Sequence, residues 1–245
     1  MGYNIAICLR RINIKIYYIH RSSFLLEMDK SYLLFDYFKR EIPEMDPDKH
    51  LYVLSTHSHP DHYRDKVFDL YRDRKNVSFI LSDDIEPKLE SDAALADFLG
   101  PNKEYQIGDL RIKTYESTDL GLAFLIEVEG KRIYHSGDLN WWTWHGYETE
   151  EEYEIMTDRF KKEISKLEGE DIDLAMVVLD PRQGERYDWG IKYYLQKTNN
   201  KYLVPMHCWD KFEVIDRFKK DNPDLIKDIV LINTPDASGG IELDF

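Results

Sequence analysis

The feature that most constrains the fold of this chain is a pattern that occurs twice along it. The segment FLLEMD at 24–29 recurs as FLIEVE at 124–129, and each copy starts a hairpin that ends in an aspartate, Asp36 or Asp138. The segment LYVLSTHSHPDH at 51–62, with the helix after it, has a counterpart in YLVPMHCWD at 202–210 and its helix. Two apolar hairpins can resemble each other by chance, but the shared order favours a duplicated unit. Because each unit mixes strands with helices, we expect a layered α/β protein with helices covering the sheet faces.

Short apolar or alternating runs predict the strands, and apolar residues at helical spacing predict the helices. SSFLLEMDKSYLLFD is interpreted as two strands joined at Asp29 and Lys30, and SDAALADFLG at 91–100 as a polar, helix-prone stretch. The other predicted strands lie in INIKIYYIH (12–20), HLYVLS (50–55), VSFILS (77–82), LRIKTYE (110–116), LAFLIEVEGKRIYHSGD (122–138), LAMVVLD (174–180) and KYLVPMH (201–207). The predicted helices lie in RDKVFDLYRDR (64–74), in 148–167, in WGIKYYLQK (189–197) and in KFEVIDRFKK (211–220).

Composition limits the number of domains and the kind of partner. A chain of 245 residues with 42% hydrophobic content can bury one substantial core, and it contains no low-complexity linker. We therefore expect a single domain over 1–245, with similar halves at about 13–100 and 103–245. The formal net charge of −14 repels nucleic-acid phosphates, so we expect a small-molecule substrate. An anionic substrate would need a metal ion or a local arginine to supply positive charge.

The sequence also indicates where the protein works. No run approaches the roughly 18 apolar residues of a membrane span. The apolar stretch YNIAICL is followed by Arg10 and Arg11, the reverse of the order in a signal peptide. Two distant cysteines, Cys8 and Cys208, do not form the pattern of a disulfide framework. We expect a soluble cytoplasmic protein; self-association into a homo-oligomer stays open.

The segment STHSHPDH at 55–62 is the strongest chemical signal in the chain. It places three of the eight histidines and an aspartate within six positions. Residues i and i+2 of an extended segment point to the same side, so His57 and His59 can converge on one ion. Pro60 stiffens the chain, and the turn after it can aim Asp61 and His62 toward a second ion. Imidazole and carboxylate ligands suit zinc, and also manganese or iron.

The motif His57-Ser58-His59-Pro60-Asp61-His62 resembles the His-x-His-x-Asp-His signature of metallo-β-lactamase-fold hydrolases. IYHSGDLN at 133–140 resembles the family's later Gly-Asp motif, and YLVPMHCWD its terminal histidine motif. IHRSSFLLE at 19–27 is similar to the opening of the branch that contains sugar-phosphate lactonases and related phosphodiesterases. The likeness spans roughly residues 13 to 210. It implies a four-layer αβ/βα sandwich and a divalent-metal cofactor of one or two ions, with zinc first and manganese or iron as alternatives.

The resemblance also assigns metal ligands by position. His57 and His59 would hold a first metal; Asp61, His62 and His207 would hold a second. Asp138 would bridge both. Locally, Asp138 can equally cap a turn and His207 can equally be a packed residue at a strand end. Their places in the duplicated pattern favour the metal role.

The chain departs from the family at one ligand. The family usually carries a further first-metal histidine before the second hairpin, where this chain reads YESTDLGLAF at 115–124. Ser117 and Asp119 are the available substitutes, and the carboxylate of Asp119 is the better ligand. We expect Asp119 close to the site. A weakly held first metal and a single metal at the second site are the alternatives.

For catalysis, the motif places Asp61 and Asp138 where they can orient an attacking water. His20 and Asp36, in the first hairpin, are candidates to hold ligand imidazoles in one tautomer, and a packed or surface strand histidine is an equal alternative for His20. Candidate pocket residues are Trp141, Trp142, His145, Arg182 and Tyr187, which lie in DLNWWTWHGYE and LDPRQGERYDWG. Each has a plainer alternative: the tryptophans as core residues, His145 as an exposed loop residue and Arg182 as part of a surface loop.

The resulting function is a metal-dependent hydrolase acting on a phosphoester, a lactone or a related ester. One alternative is a metal-binding but catalytically degenerate member, which the missing histidine would favour. A nuclease or RNA-processing role is another, which the charge of −14 disfavours. A diiron oxidoreductase is a third, and His59 stands where that branch carries glutamate.

Overall fold

The computed structural model describes residues 13–72, 74–86 and 93–245 and contains two seven-stranded mixed sheets. Cys8 and the segment YNIAICL lie outside the described residues. None of the described helices is long and apolar enough to cross a membrane.

The first sheet is formed mainly by the N-terminal part of the chain, in the order β14-β1-β2-β3-β4-β5-β6. Strands β14, β1, β2 and β3 pair antiparallel, and β3 through β6 pair parallel. The strands are β1 (Ile14–His20), β2 (Ser23–Glu27), β3 (Ser31–Phe35), β4 (His50–Ser55), β5 (Val77–Ser82), β6 (Ala96–Leu99) and β14 (Ile241–Leu243).

The second sheet repeats this arrangement in the order β13-β12-β11-β10-β9-β8-β7. Strands β7 to β10 pair antiparallel and β10 to β13 pair parallel. The strands are β7 (Glu104–Ile107), β8 (Leu110–Glu116), β9 (Leu122–Val128), β10 (Lys131–His135), β11 (Asp171–Val178), β12 (Asn199–Met206) and β13 (Val230–Leu231).

The α-helices lie on the outer faces of the sheets. The longest begins after Thr149, whose side chain accepts from the Glu152 N–H while the Glu152 carboxylate accepts from the Thr149 N–H. This capping box fixes where the charged segment becomes helical. The helices are α1 (Lys66–Tyr71), α2 (Glu150–Ser165), α3 (Trp189–Lys197) and α4 (Glu213–Asp221).

Three apolar clusters separate four layers. The central cluster packs Leu33 and Leu54 of the first sheet with Phe124 and Met176 of the second. An outer cluster packs Phe68 of α1 on the first sheet. Another packs the second sheet under Phe160 of α2, Ile191 of α3 and Phe218 of α4. The αβ/βα sandwich predicted from the sequence is therefore confirmed.

The pattern of burial explains why the strands appear as continuous apolar runs. In β4, Tyr52 and Leu54 face the central cluster, whereas Leu51 and Val53 face the cluster under α1. A strand that is covered on both faces needs apolar residues at every position. Such runs give strong sequence signals, and HLYVLS matches β4 residue for residue. The amphipathic segment WGIKYYLQK likewise matches α3.

The segment at 91–100 folds differently from the prediction. The stretch interpreted as helix-prone contains a 3-10 helix at Ala93–Leu95 and then β6, while Ser91 and Asp92 lie outside the described residues. Strand β6 exists because its backbone pairs with β5, with Phe79 opposite Ala96 and Leu81 opposite Phe98. Tertiary pairing overrides local propensity here. Strand β14 also departs from the predicted halves, since it leaves the second half and pairs with β1.

Candidate metal centre

The loop after β4 gathers three imidazoles at the edge of the first sheet. His57 and His62 are fully buried, and their ring centroids lie 4.0 Å apart. The ring of His59 lies 4.7 Å from that of His57, but its side chain is 43% exposed. The N–H of His62 donates to the carbonyl of His59 at 2.9 Å, which closes the turn after Pro60. The cluster is thus a tight turn with two buried histidines and one at its mouth.

Asp138 brings the second sheet into contact with this loop. Its Oδ2 lies 3.6 Å from His57 Nε2, and its Oδ1 lies 3.4 Å from His62 Nε2 and 3.7 Å from His207 Nε2. His207 directly follows β12, and Asp138 follows β10. The carboxyl ends of neighbouring parallel strands meet at one sheet edge, where ligands bind in open α/β sheets. One carboxylate therefore connects histidines from both halves of the chain.

Two glycines allow the sheets to approach this closely. A Cβ on Gly137, at φ +50°, would lie 2.5 Å from the Leu122 carbonyl oxygen and 2.9 Å from Thr56 Cβ. A Cβ on Gly121, at φ +69°, would lie 2.0 Å from the Thr56 carbonyl oxygen. Only glycine fits a left-handed position with backbone this near.

The seven ligands expected from the sequence form two groups. In the first group, donor atoms of His57, His59, Asp119 and Asp138 lie within 4.8 Å of one another. In the second group, donor atoms of Asp61, His62 and His207 lie within 4.8 Å of one another. Asp119 Oδ2 is 3.6 Å from His59 Nδ1, so the carboxylate stands close to the site as expected. Ser117 lies behind it and accepts from the Asp119 N–H.

Several buried atoms of this cluster make no hydrogen bond among the described residues. They are His57 Nε2, His62 Nε2 and Asp138 Oδ1. Buried polar atoms are nearly always hydrogen-bonded, and an unpaired one destabilises the fold. Here the unpaired atoms face one another, which is the arrangement of a site whose partner is a shared cation.

The electrostatics of the cluster differ between neighbours. Burial lowers the pKa of His57 well below its usual value, and the adjacent imidazoles lower it further. Burial also opposes protonation of His62, but Asp138 and Asp36 outweigh it and raise the pKa of His62 to about 9. Burial and the nearby Asp138 raise the pKa of Asp119. The site concentrates negative charge that a cation would neutralise.

Asp36 holds His62 from behind, as its place in the first hairpin suggested. Its Oδ2 lies 2.8 Å from His62 Nδ1, and both side chains are fully buried. The same carboxylate accepts from the Thr56 N–H at 2.7 Å and the Thr56 hydroxyl at 2.8 Å. His20 does not share this role: its ring stacks on Phe38 with centroids 5.4 Å apart, and within the described part of the chain its Nδ1 has no hydrogen-bond partner. Of the two alternatives for His20, the structure therefore supports the packed strand histidine, because the strand turns the ring toward the 36–40 segment.

Asp180 is the corresponding support for His207, and the sequence analysis missed it. Its Oδ2 lies 3.0 Å from His207 Nδ1, and its side chain is fully buried. Burial raises the pKa of Asp180, but hydrogen bonds from His207 and Arg182 outweigh it and lower the pKa to about 2. The available signal was its position, since Asp180 ends the run LAMVVLD as Asp138 ends its hairpin.

His135 is a second residue that the sequence analysis missed. Its Nδ1 accepts from the Gly137 N–H at 3.1 Å, and its Nε2 donates to the Ser22 carbonyl at 2.9 Å. The ring stacks on Phe35 at 4.8 Å. His135 therefore fixes the turn that presents Asp138.

The cluster opens into a cavity of about 550 Å³. His59, Asp61, Asp119, Asp138 and His207 line its floor. Its walls include Trp142, Trp144, Arg182 and Trp209. The indole N–H of Trp142 donates to the Asp138 carbonyl at 2.8 Å, which connects the wall of the cavity to its floor.

Three residues expected in the pocket lie elsewhere. Trp141 packs on Phe160 in the outer core and donates to Thr157, because successive residues of its segment point in opposite directions. Tyr187 is buried and donates to Asp221 at 2.8 Å. His145 is exposed and lines a separate cavity. The pocket assignments of Trp141, Tyr187 and His145 are therefore corrected, and those of Trp142 and Arg182 agree with the cavity lining.

Comparison with known proteins gives relatives in the same structural class. A metal-dependent hydrolase from Natranaerobius thermophilus is 27% identical over 183 residues, which cover 69% of this chain and 72% of that protein. The crystal structure of Igni18, a metallo hydrolase from Ignicoccus hospitalis, matches with a TM-score of 0.65 at 17% identity and covers 95% of this chain and 99% of its own. YhfI from Bacillus subtilis, a metallo-β-lactamase fold protein, matches with a TM-score of 0.58 at 14% identity and covers 96% of this chain and 100% of its own.

The model of the β-lactamase superfamily domain matches residues 15–157, a segment that contains the histidine cluster, Asp119 and Asp138. Together with the two facing sheets and their outer helices, this match shows that the chain belongs to the metallo-β-lactamase superfamily.

Proposed function

We propose that this protein is a metal-dependent hydrolase that acts on a small-molecule phosphoester, lactone or related ester. The observation that carries the proposal is the meeting of two His/Asp groups on Asp138 at the floor of an open cavity. The names of the relatives support the same reaction class.

The donor set fits divalent cations. His57, His59, Asp119 and Asp138 would hold a first ion; Asp61, His62, His207 and Asp138 would hold a second. The unpaired atoms His57 Nε2, His62 Nε2 and Asp138 Oδ1 would gain the partner that burial demands. Imidazole with carboxylate makes zinc the first choice, with manganese and iron as alternatives.

A divalent cation supplies Lewis acidity, which lowers the pKa of water and polarises a carbonyl or phosphoryl oxygen. The protein's own groups do the rest. Asp61 and Asp138, both in the cavity floor, accept hydrogen bonds from the attacking water and orient it. Asp36 and Asp180 hold the imidazoles of His62 and His207 through their Nδ1 atoms and leave Nε2 facing Asp138.

The site is built for a small substrate. A cavity of about 550 Å³ accommodates a metabolite-sized molecule. The net charge of −14 opposes nucleic acid, and Cys208 is a buried free thiol, which agrees with a reducing cytoplasm. We therefore propose a cytoplasmic enzyme of small-molecule metabolism.

The test is hydrolysis of bis-p-nitrophenyl phosphate, p-nitrophenyl phosphate and a simple lactone, with zinc or manganese added or withheld. At least one substrate should be turned over in a metal-dependent way, and His59→Ala should abolish the turnover. The matched control is His50→Gln, because His50 starts β4 at the strand end opposite the cluster and contacts Ser78.

Two results would reject the proposal. Turnover that survives His59→Ala would exclude the mechanism. A protein that binds metal but hydrolyses nothing in a broad ester panel would be a catalytically degenerate member.

A further inference from the structure

Arg182 distinguishes the wall of the cavity from its floor. Among the described residues that line it, Arg182 is the only arginine, and no lysine lines it. Three carboxylates, of Asp61, Asp119 and Asp138, belong to the floor. An anionic group that enters the cavity and does not contact the floor can therefore pair with Arg182.

One edge of the Arg182 guanidinium is hydrogen-bonded to Asp180, and a second edge keeps its N–H donors available. Arg182 Nε lies 3.0 Å from each carboxylate oxygen of Asp180, and Nη2 lies 2.5 Å from Oδ2. None of the hydrogen bonds among the described residues uses Nη1. The edge formed by Nη1 and Nη2 therefore keeps two parallel N–H donors, the geometry that pairs with two oxygens of a phosphate or carboxylate.

Aromatic rings fix the plane of this guanidinium. Its central carbon lies 4.0 Å from the ring centroid of Trp209 and 5.9 Å from that of Trp144. Trp144 is parallel to Trp142 within 6°, with ring centroids 6.1 Å apart. These tryptophans line the same cavity, so a flat apolar group can pack beside the cation.

The other charges in the wall are already engaged. Glu148 forms an ion pair with Arg186 and accepts from the Trp144 N–H. Glu152 accepts from the N–H and hydroxyl of Thr149 in the helix cap. Arg186 thus neutralises the charge of Glu148, whereas Glu152 accepts only from neutral donors and keeps its negative charge.

Asp180 links the cation to the metal ligands. The same Oδ2 contacts Arg182 Nη2 and lies 3.0 Å from His207 Nδ1. A group bound by Arg182 is thus placed relative to the second His/Asp group through a single buried carboxylate.

We propose that Arg182 is the specificity-determining residue of the cavity, and that the substrates are small esters carrying an anionic phosphate or carboxylate group beside an aromatic or apolar ring. That the substrates are esters rests on the proposed function. Binding of the anionic group by Arg182 does not require turnover.

The experiment measures binding through the cavity tryptophans. The zinc-loaded full chain, with its metal content measured, is titrated with phenyl phosphate, phenylacetate and neutral benzyl alcohol while tryptophan fluorescence is followed. R182Q should weaken binding of the preferred anion by about tenfold or more, the value of a charge-assisted hydrogen bond. Benzyl alcohol should be unaffected, and R182K, which keeps the charge without the fork, should fall between. The tighter of the two anions identifies the phosphate or carboxylate source.

The matched control is R217Q. Arg217 also stacks on an aromatic ring, that of Tyr187 at 4.0 Å, and pairs with Asp221, but it lies outside the cavity lining. R217Q should bind all probes as the wild type does. Wild-type affinity for both anions in R182Q and R182K, equal losses in R217Q, or no anion binding by the wild type would overturn the inference. An inactive protein that still shows Arg182-dependent anion binding would refute only the hydrolase function.

Discussion

Asp138 contacts histidines of both His/Asp groups, but the groups differ in how firmly their histidines are held. In the second group, Asp36 holds His62 at 2.8 Å and Asp180 holds His207 at 3.0 Å. Every side chain in those two pairs is at least 96% buried. In the first group, His59 and Asp119 are 43% and 46% exposed and contact each other at 3.6 Å. Ligands that are already held in place lose less entropy when they bind an ion. We therefore expect the ion of the second group to bind tightly and the ion of the first group to exchange with ions in solution.

The largest effect is expected for a substitution that disrupts both groups at once. Asp138→Asn should abolish hydrolysis and remove tightly bound metal, because this carboxylate contacts histidines of both groups. Metal content after dialysis and the ester panel measure the two effects. Asp173→Asn is the control, since Asp173 pairs with Lys131 at a distance from the cluster. Retention of one tightly held ion in Asp138→Asn would show that the groups bind independently.

The next effect separates the groups. Asp180→Asn should weaken the second ion by about 10–100-fold, the usual cost of losing a carboxylate behind a histidine ligand. Competition with a chelator of known affinity measures the affinity of each ion separately. The first ion should be unaffected, because no first-group histidine contacts Asp180 among the described residues. Equal weakening of both ions would contradict the comparison.

A smaller effect concerns the first group alone. Asp119→Ala should weaken only the exchangeable ion, by about tenfold, and Asp119→His should tighten it because imidazole is a good ligand for zinc. Titration of the metal-depleted protein with zinc separates the two binding steps. Asp109→Ala, an exposed aspartate in the turn before β8, is the control. An unchanged first step in Asp119→Ala would remove Asp119 from the ligand set.

The smallest effect concerns stability and leaves the metal groups intact. Burial, together with the nearby charges of Arg40 and Lys39, lowers the pKa of His20 to about 4. Below its unfolded pKa of about 6.5, the unfolded chain binds this proton and the folded protein resists it. The stabilisation is thus fully present above about pH 6.5 and is lost as the pH falls toward 4.

His20→Phe keeps the stacking on Phe38 and removes the proton. The melting temperature of the metal-depleted variant should fall less between pH 7 and 4.5 than that of the wild type. If the melting temperatures of the variant and the wild type fall equally with pH, the acid sensitivity comes from the histidine cluster and not from His20.

The two regions also differ in how readily they could be predicted. His57, His59, Asp61 and His62 stand together in one turn, so the sequence shows them directly. Asp138 and His207 could be assigned because each follows an apolar strand in a repeated pattern. Asp180 follows a strand in the same way, but it carries no familiar motif, and its role depends on contact with His207 across the sheet.

The sequence by itself determined the fold class and the chemical identity of the donors. Strands covered on both faces require unbroken apolar runs, and a metal loop requires imidazoles at short spacing, so both leave local patterns. Only the tertiary structure decided that Asp119 joins the first group, that Trp142 faces the cavity while Trp141 enters the core, and that residues 96–99 form a strand. These outcomes depend on which remote segment a backbone pairs with and on which side of the chain a side chain leaves. Local sequence does not encode either.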